Sequence, residues 1–145
     1  MPSLELDGTP RAPRDARRFI DSALDSWGVA GDRRDAIRLL ATELVTNALL
    51  HGAPPIVIEA LRAGVTIRVS VRDGNPTLPS PRPFDVEAPT GHGMLLVQRL
   101  SRRWGVEPAA DGKLVWFEID AGFEDLTDAA GARVSSLAAS PPSLR

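Results

Sequence analysis

A carboxylic acid and an amide stand four residues apart at Glu43 and Asn47, inside the run ELVTNALLHG at residues 43–52. On a helix that spacing stacks the two side chains on one face. An acid over an amide, close to where a helix breaks at Gly52, Ala53, Pro54 and Pro55, makes a candidate site. The ordinary alternative is the wet side of a surface helix. Asp73, followed by Gly74 at the end of an apolar alternation, is an acceptor-only carboxylate that suits an exocyclic amine such as adenine's. Its ordinary alternative is a turn aspartate bonding its own backbone. Gly91, His92 and Gly93 precede a second apolar run. Backbone N–H groups at such a helix start suit phosphate, whereas a plain flexible loop reads the same way. The chain contains no Walker loop, and no strand directly precedes Gly91 as a dinucleotide-binding fingerprint requires.

These residues need elements to hold them. Ile37, Leu40, Ala41, Leu44, Val45 and Ala48 recur at helical steps, predicting a helix over 32–51 with Asp32 as its N-cap. Before it, residues 3–7 alternate as a short edge strand. Pro13 then opens a helix with Ala16, Phe19, Ile20, Ala23, Leu24 and Trp27 on one face and Gly28 as its stop. Residues 56–61 and 65–71 read as antiparallel strands joined at Arg62, Ala63 and Gly64. Val65, Ile67, Val69 and Val71 face one way; Thr66, Arg68, Ser70 and Arg72 face the other. A proline-punctuated connection then runs to Thr90, and a short buried helix is expected over 94–103 from Leu95, Leu96, Val97 and Leu100. A strand begins at Trp104, Asp111 and Gly112 form a hairpin turn, and 114–119 is the last strand. The expected fold is an α/β (α+β) two-layer sandwich, a mixed and mainly antiparallel sheet with helices on one face.

Composition narrows the function. A chain of 145 residues, 43% apolar and 25% charged, suits one globular domain. A net charge of −2 gives no electrostatic case for nucleic acid or an anionic membrane. The absence of cysteine excludes disulfides, thiolate chemistry and a cysteine-based metal site. The start of the chain lacks a secretion-signal pattern and no apolar run reaches membrane length, so a cytoplasmic protein is expected. Lys113 is the only lysine among many arginines, which reads as coding bias.

In order, E-x-x-x-N on a helix, an aspartate-glycine after a strand and G-x-G entering a helix resemble the GHKL (Bergerat-fold) ATP-binding proteins. The fuller runs Glu43-Leu-Val-Thr-Asn47-Ala-Leu-Leu-His51-Gly52 and Gly91-His-Gly-Met-Leu-Leu-Val97 look most like the anti-sigma-factor serine/threonine kinases. The resemblance covers roughly residues 4–119. It implies Glu43 as general base, Asn47 as holder of Mg²⁺, Asp73 as reader of the adenine amine, His51 near the phosphates, and Gly91, His92, Gly93, Met94 and Leu95 around them. It further implies ATP and Mg²⁺ as cofactors and, as partners, an anti-sigma antagonist and a sigma factor, and it leaves room for a homodimer. The sequence departs from the family's D-x-G-x-G: Asn75 and Thr77 stand where the glycines belong, and Gly74 lies one place early. That departure favours a rival reading, a nucleotide-dependent partner switch without phosphotransfer. The catalytic part of a two-component histidine kinase is a weaker third, since no helical phosphoacceptor segment is seen.

The remaining conspicuous residues have plain readings. His51 suits the negative end of a helix dipole, and His92 suits a solvated loop. Two separated histidines without cysteine make a poor zinc site. Trp27, Trp104 and Trp116 read as core or boundary aromatics, and Arg99, Arg102 and Arg103 as a solvated helix face. The domain is expected over 1–120, with an Ala/Ser/Pro-rich tail over 121–145 largely disordered. Deleting residues 130–145 should therefore leave the thermal midpoint and nucleotide affinity nearly unchanged; a fall of many degrees would show that the tail joins the core.

Overall fold

The computed structural model describes residues 2–76, 97 and 100–121. The first strand, β1 (Ser3–Leu6), leads into helix α1 (Ala12–Trp27) and then the longer α2 (Gly31–His51). Four strands follow: β2 (Ile56–Ala63), β3 (Thr66–Asp73), β4 (Arg103–Ala109) and β5 (Gly112–Asp120). They form a sheet in the order β1-β2-β3-β5-β4, with every pairing among these strands antiparallel. The expected two-layer architecture is thus present, with both helices on one face.

Helix α1 stops where predicted, because Gly28 takes φ 71° and its N–H bonds back to Asp25 O. The predicted apolar stripe of α2 is the stripe that is buried: Ile37, Leu40, Ala41, Leu44, Val45 and Ala48 all face the sheet. They meet Ile58, Ala60, Ile67, Val69, Val71, Phe117 and Ile119 in one core. The outer sides of α1 and α2 are tied by Arg34 and Arg38. Arg34 reaches Asp25 at 2.6 Å and Asp21 at 3.2 Å, and Arg38 reaches Asp21 at 2.8 Å. The hydrogen bond to Asp25 is the main cause that raises the Arg34 pKa above its ordinary value.

Several expectations shift. Asp32 is not the N-cap; Ala30 holds that place with φ −142°, and Asp32 sits inside the first turn, where the helix dipole favours a carboxylate. The β2–β3 turn is Gly64 and Val65, since Ala63 still pairs with Thr66 and Gly64 supplies φ 63° at the first loop position. Likewise Gly112 already pairs with Ala109, so the β4–β5 loop is Ala110 and Asp111. The helix expected over 94–103 cannot extend so far: Arg103 begins β4, and Leu100 is 44% exposed, although Val97 is buried. Arg102 and Arg103 are therefore no solvated helix face. Arg102 pairs with Asp120, and Arg103 lies 3.4 Å from the buried carboxylate of Glu118. Arg99 and the tail lie outside the described residues. On the face away from the helices Arg68 stacks on Trp116 at 4.2 Å.

Two neighbours on α2 test this packing. Leu40 is fully buried and Leu39 is 41% exposed. Leu40→Ala should cost about 2–5 kcal/mol of unfolding free energy in denaturant melts. Leu39→Ala should stay within about 0.5 kcal/mol of wild type.

Candidate functional site

The last turn of α2 ends against the end of β3. Gly52 takes the C-cap and donates to Ala48 O at 2.9 Å. The Gly52–Pro55 corner follows, with a cis bond between Pro54 and Pro55, and turns the chain into β2. Gly74, one residue beyond β3, donates its N–H to Ala53 O at 2.6 Å. Asn75 Nδ2 donates to His51 O at 2.9 Å. The end of β3 is thereby laced to the end of the helix that carries Glu43 and Asn47.

Asp73 sits at this joint with its side chain only 2% exposed. Oδ1 accepts the Asn75 N–H at 2.8 Å, the local backbone bond expected of a turn aspartate. It also accepts from Lys113 Nζ at 3.1 Å, across the β3–β5 pair in which Asp73 and Lys113 are directly opposite. Among the described residues hydrogen bonds reach Oδ1 alone, which leaves Oδ2 as the acceptor the site can offer. Oδ2 lies against Gly52, where an added Cβ would come within 2.6 Å of it and 2.5 Å of Asp73 Cγ. Gly74 has an equally local reason to be glycine: a Cβ there would approach Pro54 O to 2.6 Å. The glycine that stands one place early in the motif is fixed by the corner after α2.

Glu43 and Asn47 are half-buried on α2, beside the stripe that faces the sheet. At 1.5 Å rise per residue, Asn47 lies about 7 Å and Glu43 about 13 Å along the helix axis from Gly52. The joint at Asp73, then the amide, then the acid thus form an ordered series along one helix. His51 is exposed in the last turn, and its backbone carbonyl ties the corner to Asn75. Gly91, His92, Gly93, Met94 and Leu95 lie outside the described residues. The sequence does not show the setting of Lys113, which depends on the β3–β5 register; its one legible mark is to be the only lysine in the chain.

The donor set suits a nucleotide at one end and a metal at the other. A buried carboxylate with one committed oxygen fits an exocyclic amine. Mg²⁺ prefers oxygen ligands, is commonly carried by phosphates and needs few protein groups, so the Asn47 amide oxygen is an adequate ligand. Among the described residues no group of three or more His, Asp or Glu could hold a metal ion. An open groove of about 480 Å³ lies elsewhere, between β1 and α1, lined by Leu4, Leu6, Arg18 and Phe19 among others. It includes none of Glu43, Asn47 or Asp73.

Comparison with known proteins agrees with this fold. The sequence profile of the histidine kinase-like ATPase domain matches residues 6–119, and the chain belongs to that family. The GHKL fold read from the motifs is therefore the fold found. Among solved structures, the RsbU and RsbW domains of Rv1364c from Mycobacterium tuberculosis superpose with a TM-score of 0.63 at 24% identity, over 83% of this chain and 33% of that one. The histidine kinase AdeS of Acinetobacter baumannii matches with a TM-score of 0.52 at 14% identity, over 84% of this chain and 68% of that one. The histidine kinase domain of the Erythrobacter litoralis EL346 blue-light activated histidine kinase gives 0.50 at 22% identity, over 74% and 63%. The chain spans about a third of the length of the first of these. No curated protein matches the sequence. Among the described residues no helix is long and apolar enough to cross a membrane.

The packing at the joint has a direct consequence. Gly52→Ala should lower stability by about 1–3 kcal/mol in a denaturant melt, because the new methyl group and the Asp73 carboxylate need the same space. A melt superimposable on wild type would mean that the helix end and β3 do not meet as described.

Proposed function

We propose that this chain is an ATP-binding serine/threonine protein kinase of the anti-sigma-factor type. It phosphorylates an anti-sigma antagonist and thereby controls a sigma factor, working in the cytoplasm. The observation that carries the reading is the joint itself: a buried carboxylate with Oδ1 committed stands at the end of the helix on which Asn47 and then Glu43 follow. Membership of the histidine kinase-like ATPase family supports ATP as the nucleotide. The anti-sigma setting is in keeping with the likeness of fold to a structure containing an RsbW domain.

In this reading Asp73 Oδ2 would accept a hydrogen bond from the 6-amino N–H of adenine and fix the base at the α2 end. The Asn47 amide oxygen would hold Mg²⁺, and by the family motif Gly91, His92, Gly93, Met94 and Leu95, with His51, would bind the phosphates. Bound Mg·ATP supplies the phosphoryl group and the metal charge that offsets its negative oxygens. Glu43 takes the proton of the attacking serine hydroxyl, the task of a positioned general base. The rest of the chain's contribution is orientation, since α2 is pinned along its length by a packed core.

A second reading has its own observation. Asn75 and Thr77 replace the glycines of the family motif, and Asn75 is bonded to His51 O through its side chain and to Asp73 through its N–H. A corner closed in this way favours a partner switch that binds ATP without transferring phosphate.

Mutants of one helix face separate the two. Glu43→Gln should keep nucleotide affinity and lower phosphotransfer by about 10²–10⁴-fold. Asn47→Ala should weaken Mg·ATP binding itself. The measurements are γ-phosphate transfer to candidate antagonist proteins and equilibrium binding, run on the same preparations. A wild type that binds ATP and transfers to no cognate partner decides for the switch. Transfer by Glu43→Gln at the wild-type rate would remove Glu43 as the base.

A further inference from the structure

Lys113 is the chain's only lysine, and the fold buries it. It begins β5 directly opposite Asp73, and the alternation it shares with Val115, Phe117 and Ile119 turns it to the helix side of the sheet. Its side chain is 9% exposed, and Nζ lies 3.1 Å from Asp73 Oδ1 and 3.3 Å from Asn75 O. Taking an ammonium and a carboxylate out of water is costly, and such a pair commonly adds no more stability than apolar residues in its place. Stability alone gives a weak reason for this lysine.

Hydrogen bonding gives a better one. An ammonium carries three N–H donors, and Asp73 Oδ1 and Asn75 O use two. The site thus presents an acceptor, Asp73 Oδ2, beside the donor, Lys113. The edge of adenine offers the complementary pair, an amine hydrogen at position 6 beside the ring acceptor N1. We propose that Lys113 is a base-reading residue, whose remaining N–H donates to adenine N1 while Asp73 accepts from the 6-amino group. The inference rests on the ATP-binding reading above and adds to it the source of base specificity. Guanine in the same orientation would set its O6 against the carboxylate and its N1–H against the ammonium. Both contacts would be repulsive, so the pair rejects guanine more firmly than Asp73 alone.

The test is equilibrium titration with Mg·ATP and with Mg·1-deaza-ATP, in which N1 is replaced by C–H. Wild type should bind ATP about tenfold or more tightly than the analogue, the usual worth of a hydrogen bond to a charged group. Lys113→Met should bind the two alike. Because Lys113→Met strips a buried carboxylate of its cation, the double variant Asp73→Asn with Lys113→Met, which buries no lone charge, is titrated beside it. It too should not distinguish the ligands. Wild type that binds both equally well overturns the role of Lys113 and leaves the ATP reading standing. Discrimination that survives in a folded Lys113 variant also overturns it, and reduces the lysine to a structural partner of Asp73. Wild type that binds no ATP overturns the reading beneath it as well.

Discussion

A carboxylate placed where a helix ends against a sheet must be held, because an ionised group taken out of water is tolerated only with partners. Asp73 is held by a backbone N–H two residues on and by an ammonium from the neighbouring strand. Both partners grip Oδ1, and Gly52 gives the other oxygen its room. Much of the surrounding geometry follows from this one arrangement. The corner of Gly52, Ala53, Pro54 and Pro55, the early Gly74, and the register that sets Lys113 opposite Asp73 all converge on it.

Helix α2 carries the second half of the design. Its apolar stripe is pressed on β2, β3 and β5, so its rotation and height are fixed by the core rather than by the site. Glu43 and Asn47 stand beside that stripe and inherit its rigidity. Groups meant to orient a reacting molecule profit from such a mount, since small misplacements of catalytic groups are expensive in rate. The half-burial of Glu43 and Asn47 also distinguishes them from Leu50, which points outward on the same helix.

The helical part of the fold was legible because its signals are local. The six apolar residues of α2 repeat at helical steps, and Gly28 stops α1 where a positive φ is needed. Strand content was legible from alternation in β3, whereas turn positions slipped by one residue. A two-residue loop is fixed by cross-strand register, as at Ala63 with Thr66 and Ala109 with Gly112, and register is not written in one strand alone. The same limit hid the chemistry of Lys113 and the true setting of Arg103, which pairs with Glu118 across β4 and β5 instead of lining a helix. The Asp73 motif could be read as a sequence pattern, while its burial and its ammonium partner required three dimensions. The altered glycine positions are legible in the sequence; the need for Gly74 is not, because it lies in Pro54 O, which only the fold brings against it.

The central claim is that the joint between the end of α2 and the end of β3 is the base-binding end of a Mg·ATP site. The most direct measurement is a titration of the purified chain with ATP, with and without Mg²⁺, followed by amide NMR. The account predicts saturable one-site binding that tightens with Mg²⁺, with the largest shifts at Gly52, Asp73, Gly74, Asn75 and Lys113. Shifts confined to Leu4, Leu6, Arg18 and Phe19 in the groove between β1 and α1, or no saturable binding in either condition, would contradict it.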